Sequence, residues 1–141
     1  MELALAQLAI ESGEVAANVS RARDAIADGA AQGADLVALP EIFNVGYFAF
    51  DSYGRRAEPL GGSTLSAIAA TARDHDIAVL AGSIVEDLGE TARETDAPVP
   101  ATEGLANTSV FFDRDGERQA VYRKRHLFGY GSAEQELLVP G

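Results

Sequence analysis

The chain has 141 residues, room for one domain of ordinary size. Eleven Lys+Arg stand against 22 Asp+Glu, giving a net charge of −11 and a pI near 4.4; such a surface repels phosphate backbones and anionic lipid, which argues against nucleic-acid and membrane roles. There is no cysteine, so disulfides, thiolate metal sites and a cysteine nucleophile are all excluded from this chain.

The opening residues, Met1 to Glu14, carry Glu2 where a signal peptide would carry Lys or Arg, and no small-residue cleavage site follows. No apolar run approaches the roughly 18 residues of a membrane span, so a soluble, cytoplasmic protein is expected. Glu2 to Leu8 reads as an opening strand. From Glu14 to Gly33 the pattern is helical, with Val15, Val19, Ala22, Ile26 and Ala30 on one side and Glu14, Asn18, Arg21, Asp28 and Gln32 on the other. Gly33 supplies the stop. Asp35 to Leu39 is apolar without alternation, as in a strand buried on both faces, and Pro40 ends it. Strand, helix and strand make a βαβ unit.

Ile42 to Gly62 has no clean period and is expected to be loop. Ser63 or Thr64 then caps a helix carrying Leu65, Ile68, Ala69 and Ala72 on one stripe. Ile77 to Val85 is a buried strand interrupted by Gly82. Glu86 to Glu103 holds six acids and two prolines, which predicts a solvated loop or insertion. Asn107 to Phe112, the turn Asp113 to Gly116, and Gln119 to Tyr122 predict a hairpin. A Gly-rich bend follows at Gly129 to Gly131. Ten of the eleven cations are Arg and the single Lys is Lys124; adaptation to molar salt and a GC-rich genome both explain that bias.

Few residues stand out chemically. Glu41 directly follows a buried strand, where ligands of open α/β sheets bind, and there it could act as a general base; a solvent-facing loop carboxylate is the commoner fate of such a residue. Lys124 is the one ammonium in an arginine-rich chain, suited to an oxyanion but also readable as part of a basic turn with Arg123 and Arg125. His126 has no cysteine or nearby histidine to share a metal with and is expected to orient a neighbour through a hydrogen bond. Ser109 and Ser132 lack the setting of a hydrolase nucleophile. Gly61-Gly62-Ser63 reads as a loop-to-helix junction.

Taken in order, Leu39-Pro40-Glu41 with Gly46-Tyr47, Gly82 with Glu86, Asn107, Tyr122-Arg123-Lys124 with His126-Leu127-Phe128, and Glu134 six residues before Pro140-Gly141 resemble the nitrilase, or carbon–nitrogen hydrolase, superfamily. The resemblance spans Met1 to Gly141. It implies an α/β fold, specifically the N-terminal half of an αββα sandwich. It implies Cys-dependent hydrolysis of non-peptide C–N bonds, in a small amide or carbamoyl compound, with no metal or organic cofactor. Glu41 would be the general base, Lys124 would hold the oxyanion, and Glu134 would position Lys124 and the substrate. Glu136 is the near competitor for that third role. Tyr47 and Phe48 would line the substrate pocket, an assignment that core packing explains equally well. Two carboxylates around one ammonium leave one negative charge in excess, so one acid is expected to keep its proton or to have its pKa raised, and the groups to titrate together.

The departure from the family is the nucleophile. Family members place their Cys beyond the Pro-Gly motif and are nearly twice as long. This chain therefore resembles a carbon–nitrogen hydrolase domain truncated before the nucleophile elbow, and it is expected to be inactive alone. A truncated pseudoenzyme, or half of a split enzyme completed by a partner chain, is the alternative. Half a sandwich should leave an apolar sheet face uncovered, which predicts a homo-oligomer or a partner half-domain.

Overall fold

Helical stripes and apolar runs assemble into a single mixed sheet with the two longest helices on one of its faces. The computed structural model describes residues 1–129 and 131–141. In chain order the elements are β1 (Leu3–Leu5), α1 (Val15–Ala31), β2 (Leu36–Ala38), a 3-10 turn (Phe50–Ser52), α2 (Tyr53–Arg56), α3 (Ser63–Asp74), β3 (Ala78–Leu80), β4 (Ile84–Asp87), α4 (Leu88–Glu94), β5 (Leu105–Phe112), β6 (Arg118–Arg123) and α5 (Ala133–Leu137). Strands β1, β2 and β3 are parallel, and β5 runs antiparallel to β3, β4 and β6. The predicted βαβ unit is β1–α1–β2.

The core forms because one side of each strand meets the apolar stripes of α1 and α3. Val37, Val79, Val110 and Phe112 pack with Ala22 and Ile26 of α1 and with Leu65, Ile68 and Ala72 of α3, all buried. The opposite face is covered only toward β4, where Val85 packs with Ile42, Val45, Tyr53 and Leu138 in a second core cluster; elsewhere the described residues leave it open. Leu3, Leu5, Leu80 and Tyr122 lie on it and are 48%, 77%, 38% and 57% exposed. Part of an apolar face is therefore uncovered, as the sequence leads one to expect. No helix among the described residues is long and apolar enough to cross a membrane.

Several expectations need correction. The stretch 42–62 is not all loop, because Phe50–Ser52 and Tyr53–Arg56 are helical; buried Tyr53 anchors them, its hydroxyl donating to the Tyr47 carbonyl at 2.6 Å. Helix α3 starts at Ser63 without a side-chain cap of its own. The Glu58 carboxylate does that work from outside, accepting from Ser63 Oγ at 2.6 Å and from the Thr64 N–H at 3.1 Å. Residues 86–103 are not a solvated insertion throughout: Glu86, Leu88 and Thr91 are fully buried, and Asp87 is the N-cap of α4, its side chain accepting from the Glu90 N–H. Counting acids could not reveal that Glu86 is neutralised internally. The bend at Gly129 to Gly131 includes Tyr130, which lies outside the described residues.

The interrupted strand 77–85 has a specific form. Leu80 pairs with Phe111 while Ile84 pairs with Thr108, so β3 and β4 lie end to end on one edge of β5 and slip by one residue between them. Gly82 sits at the slip with φ +38°, and a Cβ there would stand 1.9 Å from the Pro40 carbonyl oxygen. The kink lets the 39–41 backbone pass, and so fixes where Glu41 emerges. Gly82→Ala is expected to cost about 3 kcal/mol, the upper end for strained backbone, measured as a lower urea midpoint at unchanged slope. A loss within about 0.5 kcal/mol, as at an ordinary surface position, would contradict this role.

Candidate active site

Four segments deliver their side chains to one place. Glu41 follows β2 across Pro40, Asn107 lies on β5, Lys124 follows β6, and Glu134 is on the first turn of α5. Lys124 Nζ donates to Glu41 Oε1 at 3.0 Å and to Glu134 Oε1 and Oε2 at 3.0 and 3.2 Å. Asn107 Nδ2 donates to Glu41 Oε1 at 2.7 Å and to Glu134 Oε1 at 3.3 Å. The two carboxylates are thus held together by an ammonium and an amide between them. Glu134 is fully buried, whereas the Glu41 side chain is 47% exposed and faces an open cleft of about 450 Å³. Leu39, Leu80 and Tyr122 give that cleft apolar walls, and Asn107, Lys124 and Ser109 give it polar ones.

The backbone under Glu41 is strained. Ile42, β-branched and buried, has φ +46°, an outlier for such a residue. Its N–H donates to Ser83 Oγ at 2.9 Å, just beyond the Gly82 kink. Strain held by surrounding structure on the residue beside a half-exposed carboxylate is a common accompaniment of function.

Burial by itself would raise the Glu134 carboxyl, but the Phe128 N–H, Lys124 and Asn107 outweigh it and hold Glu134 below its ordinary value. Glu134 is therefore held toward its ionised form. Burial likewise pulls Lys124 down, and its hydrogen bonds to Glu134 and Glu41 overcome that to leave it raised. Tyr47 is pushed up, first by burial and then by Glu134. The cluster is thus an ammonium fixed in its charged form against a buried carboxylate.

The remaining sequence candidates separate. Tyr47 donates its hydroxyl to Glu134 Oε2 at 3.4 Å, and Lys124 Nζ stands 5.6 Å from its ring centroid. Phe48 is 83% exposed; it and Tyr47 both border a second cavity with Ile10, Ser12 and Gly46, and neither lines the Glu41 cleft, so the expectation that they line one pocket with Glu41 is corrected. Glu136, the competitor of Glu134, is exposed on the outer side of α5. His126 is exposed and makes no side-chain hydrogen bond among the described residues. Sequence reasoning missed Asn107 as a member of the cluster. Its signal was a polar residue at the start of a β-rich run, a position that reads equally well as a hairpin end.

The family model for carbon–nitrogen hydrolases matches residues 2–141. The chain belongs to the carbon–nitrogen hydrolase family. It is 31% identical to a 2-oxoglutaramate amidase of Paenarthrobacter nicotinovorans, with all of this chain and 45% of that protein aligned. With the omega-amidase of Homo sapiens it shares 39% identity over 89% of this chain and 40% of the relative. A crystal structure of an amidase from Nesterenkonia sp. superposes with a TM-score of 0.79 at 28% identity, covering 100% of this chain and 48% of that one. This carbon–nitrogen hydrolase chain thus spans about half the length of the relatives it matches, with the α and β layers of a nitrilase-type fold.

The pH dependence of stability follows from the two shifts. A carboxyl lowered in the folded state contributes stability that is present above its ordinary 4.5 and lost as pH falls through its native value. A lysine raised in the folded state contributes stability that is present below its ordinary 10.5 and lost as pH rises through its native value. The urea midpoint should therefore decline on acidification below about pH 4.5, and Glu134→Gln should flatten part of that decline. An identical acid limb in Glu134→Gln would show that Glu134 is not tied as described.

Proposed function

We propose that this chain is the N-terminal part of a Cys-dependent amidohydrolase acting on a small, non-peptide amide, with Glu41, Lys124 and Glu134 as its reactive cluster. The observation that carries the reading is the ammonium of Lys124 held 3.0 Å from both carboxylates at the mouth of one cleft. Glu41 is the exposed member, free to take a proton, and serves as general base. It receives the thiol proton as sulfur attacks the amide carbonyl, passes it to the leaving amine, and then activates the water that cleaves the thioester. Lys124 faces the negative charge that develops on the carbonyl oxygen. Glu134, buried and fully hydrogen-bonded, keeps Lys124 charged and in place, with Tyr47 and Asn107 supporting it. Amide is preferred to nitrile because the relatives with assigned activities are a 2-oxoglutaramate amidase and omega-amidases.

The nucleophile has to come from outside these residues, since the chain contains no cysteine. Alone it does not turn over substrate in this reading. The uncovered sheet face, with the cleft at its edge, supports a missing layer that both completes the active site and buries Leu3, Leu5, Leu80 and Tyr122. The same face is what a split enzyme would use to bind its complementary half.

The test is ammonia release from small aliphatic amides by this chain joined to the cysteine-bearing remainder of the fold. Glu41→Gln is expected to lower the rate about 10²–10⁴-fold, the worth of a general base. Lys124→Met is expected to lower it about 10²–10³-fold, the worth of an oxyanion donor. Full activity in either variant would overturn the assignment.

A further inference from the structure

A second charged group lies on the other side of the sheet, and the proposed chemistry does not use it. Glu86 on β4 is fully buried. Its Oε2 accepts from Thr108 Oγ1 at 2.6 Å and from Arg123 Nε at 2.7 Å, and its Oε1 accepts from Arg123 Nη2 at 2.8 Å. The remaining Arg123 nitrogen, Nη1, donates to the Pro98 carbonyl at 2.9 Å. One carboxylate therefore ties β4 to β5 and β6 through a bidentate fork and a hydroxyl.

The residues it grips are the immediate neighbours of two members of the cluster. Thr108 follows Asn107, and Arg123 precedes Lys124. Thr108 and Arg123 stand opposite each other in the β5–β6 ladder, sharing the helix-covered face with Ile84 and Val110. Asn107 and Lys124 send their side chains to the cleft on the other face. Lys124 is also tied through its backbone, its N–H donating to the Asn107 carbonyl at 2.9 Å and its carbonyl accepting from the Gly141 N–H at 3.0 Å.

Apolar patterning holds this register through one β6 side chain, Val121, which packs on the core opposite Val110. Arg118, Gln119, Ala120 and Tyr122 of β6 are exposed, and the ladder is already irregular at Phe111/Phe112. Three consecutive cations, Arg123, Lys124 and Arg125, offer the cleft a choice of charge. A one-residue slip would turn Lys124 away and present an arginine instead. Arg123 meets the buried Glu86 on the helix-covered face, as Lys124 meets the buried Glu134 on the other, and selecting a register is the best-attested use of a buried ion pair. We propose that Glu86 is a positioning residue: through Arg123 and Thr108 it fixes the β5–β6 register that delivers Lys124 and Asn107 to Glu41 and Glu134. This rests on the reading of those residues as the reactive cluster.

Lys124 is the sole lysine, so lysine labelled with ¹³C at Cε gives one side-chain resonance, whose titration reports its contacts with Glu41, Glu134 and Tyr47. Glu86→Leu combined with Arg123→Met removes both buried charges together, an exchange that commonly preserves stability. The full chain carrying both changes is expected to melt like the parent while the Lys124 titration falls toward that of a free lysine or its signal splits. A single, unshifted Lys124 titration in that variant would mean that the pair is only structural, and would overturn the proposal. If the double variant does not fold, Thr108→Val decides, with a smaller downward shift expected and an unchanged titration overturning the idea. Glu134→Gln in the parent separates the two levels. It should itself lower the Lys124 titration; a lysine indifferent to it overturns the cluster reading, and the role of Glu86 with it.

Discussion

One ammonium between two carboxylates sets the constraint that the rest of the structure satisfies. Lys124, Glu41 and Glu134 arrive from the ends of β6, β2 and the start of α5, separated by up to 93 positions in the chain. Burying Glu134 is costly unless its charge is met, and Lys124, Asn107, the Phe128 N–H and Tyr47 together meet it. Glu41 is bound to the same lysine and amide yet left half-exposed. Two chemically identical carboxyls are thereby given different environments, one fixed and one available, which is the usual physical basis for dividing supporting and proton-transferring roles.

The two faces of the sheet divide the remaining work. The helix-covered face supplies hydrophobic cohesion through Val37, Val79, Val110 and Phe112, and also holds the Glu86 pair. The open face carries the cleft and exposed apolar side chains. Backbone devices connect them. The Gly82 kink leaves the space that the Pro40 carbonyl occupies, and Ser83 one residue later pins the strained Ile42. The position of Glu41 is thus decided by the one-residue slip between β3 and β4.

Much of this was legible in the sequence because it rests on local pattern. Helical spacing gave α1 and α3, unalternating apolar runs gave β2 and the kinked β3–β4 pair, and turn chemistry gave the β5–β6 hairpin. Glu41, Lys124 and Glu134 were reached through motif order. What was hidden depends on contacts between distant segments. Glu86 looked like one acid among six until Arg123, 37 positions later, is seen to neutralise it. Asn107 looked like a strand end until its amide is seen to bridge two carboxylates. The five residues of α5 are too few to show a period, and Phe48 could not be told from Tyr47 because neighbouring aromatics differ only in the direction their backbone sends them.

The most direct measurement is intact-mass analysis of rapidly quenched mixtures of this chain, its cysteine-bearing complement and a small aliphatic amide. An acyl adduct on the complement's cysteine that forms only when this chain is present, and that is lost with Lys124→Met, is the expected result. An adduct that accumulates at the same rate without this chain, or with Lys124 replaced, would contradict the assignment of the Lys124 cluster as the partner of the nucleophile.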